Sequence, residues 1–161
     1  MAKVDISREV IGAALTIHRK LGPGLLESAY EACLAYELEK AGYRVERQKA
    51  VPLIYEAVKL DCGFRADLVV DGKLVVELKC KETLHPGDEA QLLSYLRLLN
   101  IPIGLLINFH VALLKDGISG WLTTIVRRIA FFNRKVREGF AKVAKKNSPL
   151  RTLRILCGLC G

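Results

Sequence analysis

Two short apolar runs, Ala66–Val70 and Val75–Lys79, stand on either side of Asp71-Gly72, and no other stretch restricts the fold as tightly. Asp-Gly between runs of this type signals a β-hairpin. The second run, Val75-Val76-Glu77-Leu78-Lys79, ends with two opposite charges in apolar company, which costs free energy to bury unless something uses them. Side chains two apart on a strand share a face, so Glu77 and Lys79 enter one pocket. A two-residue loop would set Asp67 opposite Val76 and send Asp67 and Glu77 to opposite faces. If both acids serve one site, the loop has odd length or includes a bulge, and Gly72 supplies the left-handed backbone such a turn needs. That register is the one expected here.

The remainder of the chain arranges itself around this hairpin. Asp5 or Ser7 caps a first helix whose apolar positions Val10, Ile11, Ala14, Leu15 and Ile17 recur at helical spacing up to Leu21-Gly22. A second helix is expected from about Leu25 to Ala41, with Leu26, Ala29, Tyr30, Cys33, Leu34 and Leu38 on one side and Gly42 ending it. Strands are expected at about Arg44 to Leu53, Val58 to Phe64 and Ala66 to Val70, making an antiparallel meander with the strand through Lys79. A third helix from about Asp88 to Leu99 and a buried strand from Ile103 to Asn108 complete the order. Such an order fits an α/β architecture, a mixed central sheet flanked by helices.

The 161 residues suffice for one compact domain plus an extension. The net charge of +8 is unevenly placed: residues 1–119 hold 15 Lys/Arg against 16 Asp/Glu, whereas residues 120–161 hold 10 against 1. The first segment is therefore near neutral, and a basic partner-seeking surface belongs to the second. From Leu122 through Ile125, Ile129, Phe132, Val136, Phe140 and Val143 apolar residues recur every three or four positions among Arg and Lys, the pattern of a basic amphipathic helix. It can dock on the core, supply phosphate-binding charge or lie on anionic lipid, and the membrane is the least favoured of these. The longest apolar stretch, Ile101 to Leu114, is interrupted by Pro102, Asn108 and His110, and no basic-then-apolar leader is seen; a cytoplasmic location is expected. Cys33, Cys62 and Cys80 read as small buried thiols. The lone Cys157-x-x-Cys160 pair lacks the second pair or histidine that a zinc site would need.

Chemically, Asp67 and Glu77 offer the hard oxygen donors that magnesium or manganese takes, with the Leu78 carbonyl as a third. A divalent cation so held would polarise a phosphodiester and acidify a water, and Lys79 would orient that water or offset charge developing on phosphate. The plain alternative is a surface ion pair at a strand end, worth about 0–1 kcal/mol. Glu27 begins the second helix, where the helix dipole by itself favours a carboxylate. Gln91 and Tyr95, at i and i+4, share a helix face and can bond a nucleotide or a water, although Tyr95 as core and Gln91 as surface is the simpler account. His18, on a helix with Ile11 and Leu15, reads as a satisfied helix histidine.

Gly24-Leu25-Leu26-Glu27-Ser28-Ala29-Tyr30 resembles the signature of the GxxExxY proteins, a bacterial and archaeal group within the PD-(D/E)XK nuclease-like superfamily. Gly63-Phe64-Arg65-Ala66-Asp67, Val76-Glu77-Leu78-Lys79, Glu89-Ala90-Gln91-Leu92-Leu93-Ser94-Tyr95-Leu96 and Gly104-Leu105-Leu106-Ile107-Asn108-Phe109 are similar to that group in the same order, over about residues 5 to 119. The resemblance implies a restriction-endonuclease-like core with Asp67, Glu77 and Lys79 at the catalytic positions, Ala66 standing where the superfamily's nominal proline would be. It implies that Gln91 and Tyr95 form the Gln-x-x-x-Tyr element of RecB-type and lambda-exonuclease-like members, and that Glu27 joins Asp67 and Glu77 in binding metal. The implied activity is magnesium- or manganese-dependent hydrolysis of nucleic acid, DNA favoured over RNA, with no iron–sulfur cluster. A non-catalytic nucleic-acid-binding or interaction module on the same fold is the alternative. The domain division expected is 1–119 for the nuclease-like unit and 120–161 for the helical extension.

Overall fold

The computed structural model describes residues 5–60 and 63–123. Helix α1 (Ile6–Leu21) starts where Asp5, in extended backbone, accepts the Ser7 N–H at 3.1 Å, which satisfies one of the amides that a helix start leaves unpaired. It ends where the Gly22 N–H donates to His18 O. Val10, Ala14 and Ile17 are buried along with His18, whose Nε2–H donates to the Val111 carbonyl at 2.8 Å. Helix α2 (Glu27–Lys40) begins two residues later than expected. Leu26 takes extended backbone as the N-cap and its side chain stays exposed. Tyr30, Leu34, Ala35 and Leu38 form the buried face, the two leucines contributing about 1.5–3 kcal/mol each by burial.

Among the described residues seven strands follow: β1 (Val45–Ala50), β2 (Leu53–Tyr55), β3 (Val58–Leu60), β4 (Arg65–Val70), β5 (Leu74–Lys79), β6 (Ile103–Asn108) and β7 (Ile118–Leu122). The main sheet has the order β1-β4-β5-β6-β7, and β2 with β3 forms a separate two-stranded sheet. This corrects the expected continuous meander. Pro52 follows the end of β1, and a residue without an N–H does not extend a ladder. The chain then makes a hairpin of its own, and β4 returns to pair directly with β1, Val45 opposite Val70 and Ala50 opposite Arg65.

The β4–β5 hairpin has the expected odd loop. Val70 pairs with Leu74 and Leu68 with Val76, leaving residues 71–73 as the connection. Asp71 and Gly72 are both left-handed (φ 52° and 64°), and the Lys73 N–H donates to Val70 O. The same register brings Asp67 opposite Glu77.

Helix α3 (Pro86–Leu99) crosses over so that β6 runs parallel to β5, Glu77 beside Leu106 and Lys79 beside Asn108. Both strands are buried nearly end to end, as a parallel pair covered on both faces requires. Leu92, Tyr95 and Leu96 of α3 pack on Val69, Val75 and Leu106. Gly104 permits that close approach, because a Cβ there would stand 2.8 Å from Leu96 Cδ1.

Strand β7 was not anticipated; it pairs antiparallel with β6 from Ile103–Leu122 to Ile107–Ile118. It spans the division expected between residues 119 and 120 and takes Leu122, expected to open the basic helix, into the sheet. The rest of that helix, with Cys157 and Cys160, lies outside the described residues, as does Cys62. Cys33 and Cys80 are half-buried thiols rather than fully buried ones.

Candidate functional site

Residues of β4 and β5 build the site's centre. Asp67 is 9 % exposed and Glu77 1 %. The Asp67 Oδ2 accepts the Leu78 backbone N–H at 2.8 Å, so the neighbouring strand fixes the carboxylate directly. Lys79 Nζ donates to Glu77 Oε1 at 2.7 Å, confirming that the two charges separated by one residue share a pocket. The other Glu77 oxygen, Oε2, is buried and has no hydrogen-bond partner among the described residues. An orphaned carboxylate oxygen in the interior is costly.

Helix α2 contributes from its first turn, and the Gly-x-x-Glu-x-x-Tyr segment explains how. Gly24 has φ 105°, a backbone that side chains rarely tolerate. The Tyr30 hydroxyl donates to Gly22 O at 2.6 Å and accepts the Leu25 N–H at 3.2 Å, while its ring stacks on Phe109 with centroids 4.2 Å apart. Tyr30 therefore ties the turn to the helix it precedes. That sets Glu27, the first residue of α2, within electrostatic range of Lys79, Asp67 and Glu77.

The charges are unbalanced in a telling way. Burial, then the Asp67 charge, push the Glu77 carboxyl up to about 7 against the pull of Lys79. Burial likewise raises Asp67 and Glu27, with the Leu78 amide and Lys79 respectively opposing it. For Lys79, burial works against the charge, but the hydrogen bond to Glu77 and the other carboxylates outweigh it and keep the ammonium charged. Three carboxylates thus lean on the Lys79 ammonium, and they resist ionising together.

This donor set suits a hard divalent cation: two buried carboxylates from adjacent strands, one carrying an oxygen unpaired among the described residues. Among the described residues, however, no three His, Cys, Asp or Glu side chains gather closely enough to hold a metal. Glu27 bears on the site through its charge, with Lys79, Asp67 and the Cys80 backbone amide beside it. Magnesium commonly keeps several waters and takes only one or two carboxylates, so a pair suffices.

Gln91 and Tyr95 come together, but with each other: Gln91 Nε2 donates to the Tyr95 hydroxyl at 2.8 Å. Tyr95 is a core residue, 4 % exposed, its ring tilted against Phe64 at 6.5 Å. Among the described residues neither bonds Asp67, Glu77 or Lys79.

Sequence reasoning missed Glu31, Gln48 and Asn108. Glu31, one turn beyond Glu27 on α2, is buried and accepts from Arg47 Nε at 2.8 Å and Gln48 Nε2 at 2.6 Å; the i, i+4 spacing from Glu27 was a usable signal. Gln48 Nε2 also reaches Asp67 Oδ1 at 3.2 Å, a bond that depends on β1–β4 pairing. Asn108, buried at the end of β6, donates to Lys81 O and accepts the Lys81 and His110 amides. With the Phe109 N–H on Lys79 O, it pins the chain as it leaves the site.

A family model described as the PD-(D/E)XK nuclease superfamily matches residues 4–120. No curated protein and no solved structure matches the chain significantly.

Proposed function

Because the chain belongs to the PD-(D/E)XK nuclease superfamily, we propose that it hydrolyses phosphodiester bonds of nucleic acid, DNA in preference to RNA, with magnesium or manganese held by Asp67, Glu77 and the Leu78 carbonyl. The finer assignment to the GxxExxY group and a cytoplasmic location belong to the same proposal. Among the described residues no helix is long and apolar enough to cross a membrane.

The observation that carries this reading is the buried Glu77 Oε2, unpaired among the described residues, next to Asp67 in a pocket with excess negative charge. A phosphodiester is itself an anion and would be repelled by these carboxylates unless a cation offsets them. The bound cation would supply Lewis-acid activation of phosphate and water. The protein's own part is orientation and charge. The Leu78 amide holds Asp67 in place, and Lys79 holds one Glu77 oxygen while leaving the other free. Lys79, kept as the ammonium by its carboxylate neighbours, offsets negative charge as it builds on the phosphate in the transition state. Glu27 would join Asp67 and Glu77 as a third carboxylate toward the cation, and Gln91, half-buried on α3 and bonded to the Tyr95 hydroxyl, would face the substrate. Residues 124–161, with all the net positive charge, add sequence-independent attraction for the polyanion.

Purified full-length protein with magnesium or manganese is expected to cut single- or double-stranded oligonucleotides, and Asp67→Ala to abolish cutting. Absence of cleavage of every DNA and RNA substrate, or undiminished cleavage by Asp67→Ala, refutes the enzyme and leaves the non-catalytic module.

A further inference from the structure

We propose that Gln48 is a positioning residue for Asp67: its side-chain amide, anchored on Glu31 of α2, fixes the orientation in which the Asp67 carboxylate meets a divalent cation. The inference rests on the reading of Asp67 and Glu77 as cation ligands.

Gln48 lies in the middle of β1, between the paired residues Arg47–Leu68 and Lys49–Ala66, and so stands opposite Asp67. Its φ is 47°, left-handed backbone in an otherwise extended strand. Residues other than glycine, asparagine and aspartate seldom adopt it, and it persists where surrounding contacts impose it. Those contacts are on hand. The Nε2 group donates to Glu31 Oε2 at 2.6 Å and to Asp67 Oδ1 at 3.2 Å, and Arg65 Nη1 donates to the Gln48 carbonyl at 3.3 Å. Glu31 is itself held, buried on α2 with its other oxygen on Arg47.

Two features of the amide suit it to this task. An NH2 group has two hydrogens and can serve two carboxylates at once. It is also neutral, so it orients Asp67 without cancelling the negative charge that a cation needs; a lysine in its place would compete with that cation. With Leu78 on Oδ2 and Gln48 on Oδ1, each Asp67 oxygen has one fixed donor and keeps lone-pair capacity for a ligand bond. The strand itself does not call for glutamine, because glycine adopts this backbone freely.

Calorimetric titration of Mn2+ into full-length wild type, Gln48→Gly and Glu31→Gln tests the inference, alongside urea unfolding of each protein without metal. Gln48→Gly is expected to stay folded, relief of the backbone offsetting part of the lost bonds to Glu31 and Asp67, yet to bind Mn2+ about tenfold more weakly, as loss of a hydrogen bond to a metal ligand does. Its kcat on an oligonucleotide falls while KM stays near wild type, and Glu31→Gln shifts Mn2+ affinity in the same direction. Wild-type Mn2+ affinity in Gln48→Gly, or an affinity loss that merely follows a lowered unfolding midpoint, overturns the proposal. No Mn2+ uptake by the wild type would instead bring down the cation-site reading and this inference with it, a result recognisable because it does not involve residue 48.

Discussion

Replacing Glu77 by glutamine should make the metal-free protein more stable, not less, although it removes an ion pair. Gln keeps the shape of the protonated carboxyl and discards the buried charge. A carboxyl with an ordinary value of 4.5 that stands at about 7 in the folded protein binds its proton more tightly folded than unfolded. Its ionisation therefore counts against folding by about 1.4 kcal/mol per tenfold difference, about 3 kcal/mol once pH exceeds the folded value. The sign sets the pH window. Below about 4.5 the acid is protonated in both states and the penalty vanishes; it grows between 4.5 and about 7 and is constant above. Urea unfolding in the presence of chelator should show Glu77→Gln more stable than wild type by about 3 kcal/mol at pH 8 and by about 1 kcal/mol at pH 5. Saturating Mg2+ should then reverse the order. At a thousandfold excess over its dissociation constant a ligand stabilises the protein that binds it by about 4.1 kcal/mol, more than the penalty of about 3 kcal/mol, and Glu77→Gln has lost that ligand. A variant less stable than wild type at pH 8 without metal would refute the claim that the site is electrostatically strained; equal Mg2+ stabilisation of both proteins would refute the ligand role of Glu77.

Tyr30→Phe, which strips the hydroxyl from Gly22 O and the Leu25 amide while leaving the ring on Phe109, should cost about 1–3 kcal/mol in urea unfolding and lower cleavage by loosening Glu27; unchanged stability would show that the turn holds without it. Asp88 caps α3 through the His85 N–H at 2.8 Å and pairs with Lys81 at 2.7 Å, and these bonds outweigh burial to hold its carboxyl below the ordinary 3.8. Its stabilisation is thus present above 3.8 and lost as pH falls through the lower folded value, so the stability gap between wild type and Asp88→Asn should be full at pH 6 and shrink below pH 3.8; a pH-independent gap would contradict the assignment. Replacing Arg127, Arg128, Arg134 and Lys135 with glutamine in the full chain should flatten the salt dependence of DNA binding by about 0.9 in log–log slope for each phosphate that is no longer neutralised, and an unaltered slope would remove the tail from the interface.

The hairpin's odd loop was legible in the sequence because strand alternation has a fixed period: Asp67 and Glu77 share a site only in one register, and Asp71-Gly72 supplies the backbone for it. The same local rules marked α1, α3 and β6, whose caps and apolar periods lie within their own segments. They failed where the deciding partner is remote in sequence. Strand β7 has little apolar alternation of its own and exists because β6 offers an open edge. β1 looked like part of a meander until β4 returned past the β2–β3 hairpin to pair with it.

The candidate site divides along the same line. The chemical kinds of its groups, Asp67, Glu77, Lys79 and Glu27, are written in the chain, since a carboxylate or an ammonium at the end of an apolar strand is conspicuous wherever it folds. Tertiary structure alone decided what each group touches: Gln48 of β1 bridges Asp67 to Glu31 of α2, Gln91 spends its hydrogen bond on Tyr95, and Glu27 comes under the charges of Lys79 and Asp67. Periodicity and capping act over a few residues, whereas hydrogen bonds between strands and helices, and the burial that moves Glu77 to about 7, depend on distances that exist only once the layers have packed.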